Sequence, residues 1–200
     1  ASTYLFRVRP KVRGGVRKLV RRRSDVENLI KGTDHPRLDL LPADFSYRHM
    51  DLALDAAKHS TDRLARVLEP LRSDYDYIFL DCPPSISLVS ENVFEAADAL
   101  LVPIIPATLS SRTFEQLETL VEGGPQVLAF FSMVDRRKKL HHAVMEQLRA
   151  ERGNVLQTAI PASAQVERMG AERTVLAQFA PRGPAAAAYE ELWAEVRAAL

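Results

Sequence analysis

The sequence predicts an α/β protein in which helices flank a parallel β-sheet. First, apolar runs of strand length alternate with segments of helical spacing from residue 64 onward, which is typical of parallel α/β sheets. Second, the apolar run at residues 78–80 ends on Asp81, as a strand buried on both faces of such a sheet does. Third, 200 residues with 46% hydrophobic and 26% charged side chains suit a globular chain with a sizeable core.

The elements follow from apolar spacing in chain order. A basic amphipathic helix is predicted from residue 16 to residue 30, with Gly32 as its stop. Further elements are predicted as a strand at 38–41, a helix around 64–71, strands at 78–80 and 99–105, helices at 88–97 and 113–121, a strand at 127–134, a helix at 140–151 and a strand at 155–160. A last helix opens near Pro184, and its apolar face is predicted to carry Tyr189, Leu192, Trp193, Val196 and Leu200.

Composition excludes several classes of protein. The single cysteine, Cys82, excludes an internal disulfide, and no cysteine–histidine spacing indicates a zinc site. His141 and His142 are adjacent on a predicted helix, so they point in different directions and make a poor metal pair. No apolar run is long enough to span a membrane, and the first residues lack the order of a signal peptide, so a cytoplasmic setting is predicted.

Residues 13–19, RGGVRKL, resemble a phosphate-binding loop of the form KGGxGK[ST]. Such a loop needs glycines, a lysine that reaches the outer phosphates and a hydroxyl for Mg²⁺. Gly14, Gly15 and Lys18 fit, but Arg17 replaces the last glycine and Leu19 has no hydroxyl. The charged segment before it is not a buried strand, so a basic turn leading into a helix is the favoured interpretation.

The net charge of +1 hides a basic amino-terminal segment that contains no acidic residue. Its cationic residues are Arg7, Arg9, Lys11, Arg13, Arg17, Lys18, Arg21, Arg22 and Arg23. Their combined field suits nucleic acid or an acidic partner, but a solvated helix face or arm explains it equally well.

Asp81 is followed by Cys82, Pro83 and Pro84, and the two prolines stiffen the exit from the predicted strand. A carboxylate at the carboxyl edge of an open α/β sheet suits a Mg²⁺ bound through water to nucleotide phosphates. The alternative is an aspartate that caps the following turn.

The stretch YDYIFLDCPPSISLVSENVFEAADALLVPIIPATLSSRTFEQL resembles the ParA family of chromosome- and plasmid-partitioning ATPases, the deviant-Walker group that includes the MinD proteins. The Asp-Cys-Pro-Pro block is its most specific part. FSMVDRRKKLHHAVMEQLR, IPASAQVE and RGPAAAAYEELWAEV are similar to later family segments, so the resemblance runs from about Leu38 onward. It implies a doubly wound, P-loop NTPase-like sheet.

The resemblance implies ATP and Mg²⁺ as cofactors and assigns site residues. The implied nucleotide-binding positions are Asp81, Pro83, Pro84, Asp135 and Pro161, with Asp81 holding Mg²⁺ through water. The implied DNA contacts are Arg136, Arg137, Lys138, Lys139 and Arg168. Simpler interpretations remain: a solvated face for the cations, a helix cap for Asp135 and a strand stop for Pro161.

In the family, the KGGxGKT loop and a catalytic carboxylate precede the segment that ASTYLF resembles. We therefore expect the amino-terminal strands of the family fold to be missing and no catalytic set to be complete, so hydrolysis by this chain is undecided. Residues 1–36 are expected to form a basic arm with an amphipathic helix, and residues 37–200 an incomplete ParA-like α/β domain.

Three functions follow as hypotheses. The first is a ParA-type switch that dimerises, binds nonspecific DNA on the nucleoid and responds to a ParB-like centromere-binding protein, without a membrane partner. The second is a non-catalytic pseudo-ATPase that binds DNA or a partner protein. The third, a small-molecule enzyme, lacks a nucleophile or an acid–base pair beyond Asp81.

Overall fold

A computed structural model describes residues 2–9, 15–21, 26–57, 60–82 and 86–200. The chain separates into two compact units, unit 1 at Ala1–Ala97 and unit 2 at Asp98–Leu200. The boundary between these two units lies after Ala97, whereas a domain boundary was predicted after residue 36. The predicted division into domains stays a prediction. Among the described residues, no helix combines the length and apolar character that a membrane crossing requires.

Unit 1 is built from short helices and one two-residue hairpin ladder. Its elements are α1 (Ser2–Leu5), α2 (Gly15–Val20), β1 (Lys31–Gly32), β2 (Asp39–Leu40), α3 (Met50–Asp55), α4 (Arg63–Leu68) and α5 (Leu88–Ala96), with 3₁₀ turns at Glu27–Leu29, Phe45–His49 and Glu69–Leu71. The fully buried Asn92 joins α5 to α4, because its Oδ1 accepts the Leu64 N–H at 3.0 Å and its Nδ2 donates to the Leu88 carbonyl at 2.9 Å. A buried amide with partners on both sides stabilises that contact.

Two predictions for unit 1 need correction. The predicted helix from residue 16 to residue 30 is confirmed only as α2, and residues 22–25 lie outside the described part of the chain. The predicted strand at residues 78–80 is wrong, because the segment joins no described sheet and Phe79 is 69% exposed. An apolar run becomes a strand only where a neighbouring strand pairs with its backbone, and apolar sequence alone does not supply that neighbour.

Unit 2 contains the parallel sheet that the sequence predicts. Its elements are β3 (Ala99–Ile104), α6 (Thr108–Leu120), β4 (Gln126–Val134), α7 (Lys139–Glu151), β5 (Val155–Pro161), α8 (Ala164–Glu172), α9 (Leu176–Phe179) and α10 (Pro184–Ala199). The strand order is β3-β4-β5, and both ladders are parallel. The predicted fold class is thereby confirmed. The helices α8 and α9 were not predicted; α9 is only four residues long, and Val166 and Met169 of α8 pack partly buried against the cluster that contains Leu176.

Successive residues of β4 point to opposite faces of the sheet, and helices cover both faces. Ala129 and Phe131 pack with Phe114 of α6 and Leu148 of α7 on one face. On the other face, Leu128 and Phe130 pack against α10 through a stripe of small and branched residues: Ala188, Leu192 and Val196. Tyr189 and Leu200 were predicted in this stripe but are exposed. Ala188 takes the place in the contact that was predicted for Tyr189, and Leu200 is the last residue of the sequence, beyond the end of α10.

The ladder between β4 and β5 contains two irregularities. Ala129 pairs with Val155 and Phe131 with Ala159, so β5 carries extra residues at 156–158, and a second shift follows between Phe131 and Val134. The extra backbone groups of β5 bond to side chains instead. Glu195 accepts the N–H groups of Gln157 at 2.6 Å and Thr158 at 2.9 Å, and Arg149 Nη2 donates to the Gln157 carbonyl at 2.6 Å. One side chain from α10 and one from α7 therefore replace the missing ladder bonds.

This arrangement predicts that Glu195→Ala lowers the free energy of unfolding by roughly 1–2 kcal/mol, since hydrogen bonds to a charged acceptor are lost at a half-exposed position. Glu191→Ala, at an exposed position of the same helix, is the matched control and should change little. Urea unfolding followed by circular dichroism measures both. If both substitutions lowered the free energy of unfolding equally, the hydrogen bonds from Gln157 and Thr158 to Glu195 would not be what stabilises β5.

The same side chain predicts a pH dependence. Burial alone raises the pKa of Glu195, but the two N–H donors and Arg149 outweigh it and hold the pKa below its ordinary 4.5. The stability that Glu195 contributes is therefore fully present above about pH 4.5 and is lost as the pH falls through the lowered folded-state pKa. Consequently, the difference in stability between the unaltered chain and Glu195→Ala should shrink in acid, and a constant difference would count against the linkage.

Candidate functional site at the carboxyl edge of the sheet

The segment that resembles a phosphate loop is the start of a capped helix. Gly15 opens α2 with φ +62°, and the Val16 N–H donates to Ser46 Oγ at 2.9 Å. A Cβ at Gly15 would lie 2.9 Å from that same oxygen, so glycine is needed for this approach. Arg13 and Gly14 lie outside the described residues. The structure confirms a helix from Gly15 onward, and the predicted basic turn before it falls outside the described part of the chain.

Asp81 lies exposed in the irregular segment at residues 77–82, and Pro83 and Pro84 fall outside the described part of the chain. Burial raises the pKa of the neighbouring Cys82 thiol, and the Asp81 carboxylate raises it further. Within the described ranges, no group of three histidine, cysteine, aspartate or glutamate side chains is placed to hold a metal ion. These residues do not by themselves form a Mg²⁺ site, and the role of Asp81 stays a prediction.

Asp135 and Pro161 are brought together at the carboxyl ends of β4 and β5. Val134 is the ladder partner of Pro161, and the Ala162 N–H donates to the Val134 carbonyl at 3.0 Å. Asp135 therefore leaves β4 beside the last residue of β5. Two residues that the sequence assigned to nucleotide contact thus share one edge of unit 2.

Arg137 holds the Asp135 carboxylate. Its Nε donates to Oδ1 at 3.1 Å, its Nη2 donates to Oδ2 at 3.2 Å, and its backbone N–H donates to Oδ1 at 3.0 Å. These bonds lower the pKa of Asp135 from 3.8 to about 2. The Arg137 side chain is nevertheless 91% exposed, so it remains open to solvent. These two guanidinium bonds to one carboxylate, here called the Asp135–Arg137 fork, fix the orientation of Arg137 without burying it.

Residues 136–139, here called the cationic segment, join β4 to α7. Arg136, Lys138 and Lys139 are exposed, and none of them forms an ion pair with a described residue. Lys138 is the N-cap of α7 and supplies no side-chain cap, and the first turn of α7 contains no acidic residue. Because the amino end of a helix dipole is positive, this placement of cations is locally unfavourable. An anion at this edge would relieve it.

Two histidines contact this turn, a role that sequence reasoning missed. The Asp135 N–H donates to His141 Nδ1 at 3.1 Å, and His142 Nε2 lies 2.8 Å from the Arg136 carbonyl oxygen. Each contact spans six residues, so it depends on the turn between β4 and α7. The only signal in the sequence is the pair of histidines shortly after the cations, and their adjacency bears on metal binding but does not predict contacts with the turn.

Arg168 is engaged locally. It lies on α8, where its Nη2 is 2.6 Å from Glu172 Oε1, and its guanidinium lies 5.9 Å from the centre of the Phe179 ring. These contacts lie within α8 and α9 and do not join Arg168 to the cationic segment. Its assignment to DNA contact stays a prediction, as do those of the four residues of the cationic segment.

A parallel sheet with helices on both faces and charged residues at its carboxyl edge defines an α/β protein of the P-loop NTPase-like class. Residues 5–124 match the family model AAA_31, described as AAA domain. The chain therefore belongs to this family, and its lineage is that of the ParA/MinD-type partitioning ATPases, which confirms the predicted resemblance.

Curated relatives support this lineage. The sporulation initiation inhibitor protein Soj of Bacillus subtilis is 28% identical over 189 residues, which are 88% of this chain and 73% of that protein. The chromosome partitioning protein ParA of Caulobacter vibrioides is 30% identical over 145 residues, 67% of this chain. The match spans 54% of the length of ParA, about half of that relative.

Solved structures agree on the fold. The cell division ATPase MinD of Pyrococcus furiosus superposes with a TM-score of 0.77 at 19% identity, over 99% of this chain and 81% of that one. Cobyrinic acid a,c-diamide synthase of Mycobacterium smegmatis, with a bound ATP analogue and magnesium, gives 0.67 at 23% identity, over 86% and 72% of the two chains. At these identities the likeness establishes the fold alone.

The Asp135–Arg137 fork yields a direct prediction. In the unaltered chain, the carboxyl carbon of Asp135 should titrate with a pKa of about 2, and Arg137→Gln should move that pKa up toward 3.8 because the main donor is removed. Nuclear magnetic resonance of the carboxyl carbon against pH measures this pKa. Arg136→Gln removes an adjacent charge without the fork and is the control. An ordinary pKa for Asp135 in the unaltered chain would contradict the observed geometry.

Proposed function

We propose that this chain serves in chromosome partitioning as a DNA-binding switch whose DNA contacts and nucleotide contacts share the carboxyl edge of unit 2. The cationic segment carries the proposal. It presents consecutive exposed cations at the end of β4, and Arg137 is tied to Asp135 beside Pro161. The relatives named Soj and ParA, the latter a chromosome partitioning protein, supply the biological setting.

Electrostatics favours DNA as the ligand of the cationic segment. Phosphate groups accept charge-assisted hydrogen bonds from Lys and Arg without regard to sequence, and the release of counterions supplies much of the affinity. A phosphate at the amino end of α7 also interacts favourably with the helix dipole, which the cations alone do not. The local cost of placing Lys138 and Lys139 there is therefore offset when DNA binds.

In unit 2, nucleotide contact is assigned to Asp135 and Pro161. In unit 1, Asp81 is assigned separately, from the family resemblance alone, as a carboxylate that would hold Mg²⁺ through water. The Asp135 carboxyl would be ionised at neutral pH even at its ordinary pKa of 3.8, and Arg137 lowers that pKa to about 2. A nucleotide that contacts this carboxylate would share its oxygens with Arg137. ATP, when bound, would supply the phosphate charge that distinguishes the two states of the switch. We assign no hydrolytic step to the described residues, and a dimer, a nucleoid location in the cytoplasm and a ParB-like partner belong to the same proposal.

A second candidate is a non-catalytic module that binds DNA or a partner protein without regard to nucleotide. One observation favours it: Ser46 Oγ already accepts the Val16 N–H of the loop-like segment, and Ser46 is itself held by Asp44. In this candidate the cationic segment binds DNA constitutively.

DNA titrations distinguish the two candidates and test the site. Fluorescence anisotropy with a labelled duplex of mixed sequence is followed across a range of salt concentrations, with and without Mg²⁺-ATP. For the double variant Lys138→Ala/Lys139→Ala, we expect the slope of log affinity against log salt to decrease by about 2, since two phosphate contacts are lost. Arg182→Ala/Arg197→Ala removes the same charge from exposed positions elsewhere in unit 2 and should leave the slope unchanged.

Each outcome has a meaning. Tighter binding with Mg²⁺-ATP supports the switch, and binding that is indifferent to ATP supports the non-catalytic module. If both double variants weaken binding equally, the effect is one of net charge alone, and the cationic segment is not the DNA site.

A further inference from the structure

We propose that His141 and His142 are positioning residues, which fix the backbone of the cationic segment in the conformation that meets DNA, and that protonation of His141 releases it. This inference rests on the proposed DNA binding. It assigns to the two histidines a function other than metal binding, although neither of them would touch DNA for this purpose.

The bond from Asp135 defines the chemical state of His141. A backbone N–H can only donate, so His141 Nδ1 must accept and carries no proton, which leaves the proton of the neutral ring on Nε2. The ring is 7% exposed and lies one turn into α7. The His141 backbone N–H also donates to the Lys138 carbonyl at 3.0 Å. His141 therefore contacts the turn before the cationic segment and the segment itself.

His142 supplies the complementary bond. The Arg136 carbonyl can only accept, so His142 Nε2 must carry a proton and donate to it across 2.8 Å. Between these two contacts, the Lys138 N–H donates to the Asp135 carbonyl at 3.1 Å, and the Arg137 N–H donates to the Asp135 carboxylate. The backbone of the turn is thus fixed by bonds on both sides. Only the cationic side chains remain to be ordered when DNA binds, which lowers the entropic cost of binding.

Protonation would break the hydrogen bond of one ring and leave that of the other unchanged. A protonated His141 carries N–H groups on both nitrogens, so its Nδ1–H would face the Asp135 N–H, and the bond between them is lost. A protonated His142 still donates through Nε2. Acid therefore removes one brace and leaves the other intact.

The charged groups of the turn that His141 contacts are Asp135, Arg136, Arg137 and Lys138, and Lys139 and His142 are its neighbours on α7. The carboxylate of Asp135 is already bonded to Arg137. On α6, Glu115 and Glu118 pair with Arg152, which lies at the opposite end of α7. The neighbouring strand ends at Val134 and Pro161 carry no charge. Among the described residues, no carboxylate forms an ion pair with His141.

The sign of the pH effect separates positioning from simple electrostatics. Added positive charge on a histidine ordinarily strengthens DNA binding through phosphate attraction. Loss of the hydrogen bond from the Asp135 N–H to His141 should instead weaken DNA binding. A fall in DNA affinity with acid therefore distinguishes the positioning role from simple charge attraction.

The first arm compares variants at neutral pH by the anisotropy titration described above. His141→Leu removes the acceptor, and His141→Asn keeps an acceptor close to the position of Nδ1. We expect His141→Leu to weaken DNA binding roughly three- to tenfold with an unchanged salt slope, because the phosphate contacts remain but must be ordered. His141→Asn should restore most of the affinity. A salt slope reduced by about 1 would instead indicate that His141 contacts phosphate directly and would overturn the positioning role.

The second arm varies pH from about 8 to about 5, the range over which histidines ordinarily change charge. The unaltered chain should lose affinity toward acid, and His141→Asn should not, although it retains the other four of the five histidines. Affinity that rises in acid for both chains would overturn the release by protonation. Circular dichroism at each pH confirms that both chains remain folded.

A third arm does not depend on DNA. The ¹⁵N chemical shifts of the imidazole rings in the unaltered chain should identify His141 with an unprotonated Nδ1 at neutral pH. The protection of the Asp135 amide, measured as its exchange rate relative to that of an unstructured peptide at the same pH, should decrease in acid. If the tautomer is the opposite one, the inference fails whatever the DNA result. If the tautomer is as expected but the unaltered chain shows no salt-sensitive DNA binding, then the proposed function fails while the brace itself stands.

Discussion

The position of Asp135 after the end of β4 depends on one backbone irregularity at Met133. Met133 adopts a left-handed conformation with φ 55°, which is uncommon for a side chain of this size, and the ladder to β5 shifts between Phe131 and Val134. The strict alternation of the strand would place Met133 in the core with Phe131. Instead Val134 is buried there, and Met133 is 55% exposed. This change of phase delivers Asp135 to the rim beside Pro161, and the fork to Arg137 and the contact with His141 both start from that position.

At the carboxyl edge of unit 2, the charged side chains are held in a defined arrangement. The carboxylate of Asp135 is committed to Arg137 by three bonds, while Arg136, Lys138 and Lys139 remain exposed around it. The one acidic residue of the turn therefore acts as an internal ligand that directs a guanidinium and does not neutralise the whole segment. A rim of this kind is preorganised for an anionic partner, because the orientation of its backbone has been fixed before the partner arrives.

Periodicity predicted unit 2 well for a physical reason. Its strands β4 and β5 are apolar runs that bury residues against helices on both faces, and β3 does so on one face. The apolar pattern in the sequence therefore reflects the same burial that stabilises the sheet. At residues 78–80 the same signal was misleading, because apolar sequence does not specify a pairing partner. The brace by His141 and His142 could not be predicted either. It depends on the path of a turn, and each ring reaches a backbone atom six residues earlier.

The side chains that bond to β5 also make the two borders of the described sheet unequal. Glu195 and Arg149 occupy the N–H groups of Gln157 and Thr158 and the carbonyl of Gln157, so those groups are not available to another strand. Side chains from two helices thus already satisfy three polar backbone groups of β5, which makes this part of the strand a poorer template for edge-to-edge association. At the other border, β3 pairs only with β4 among the described strands.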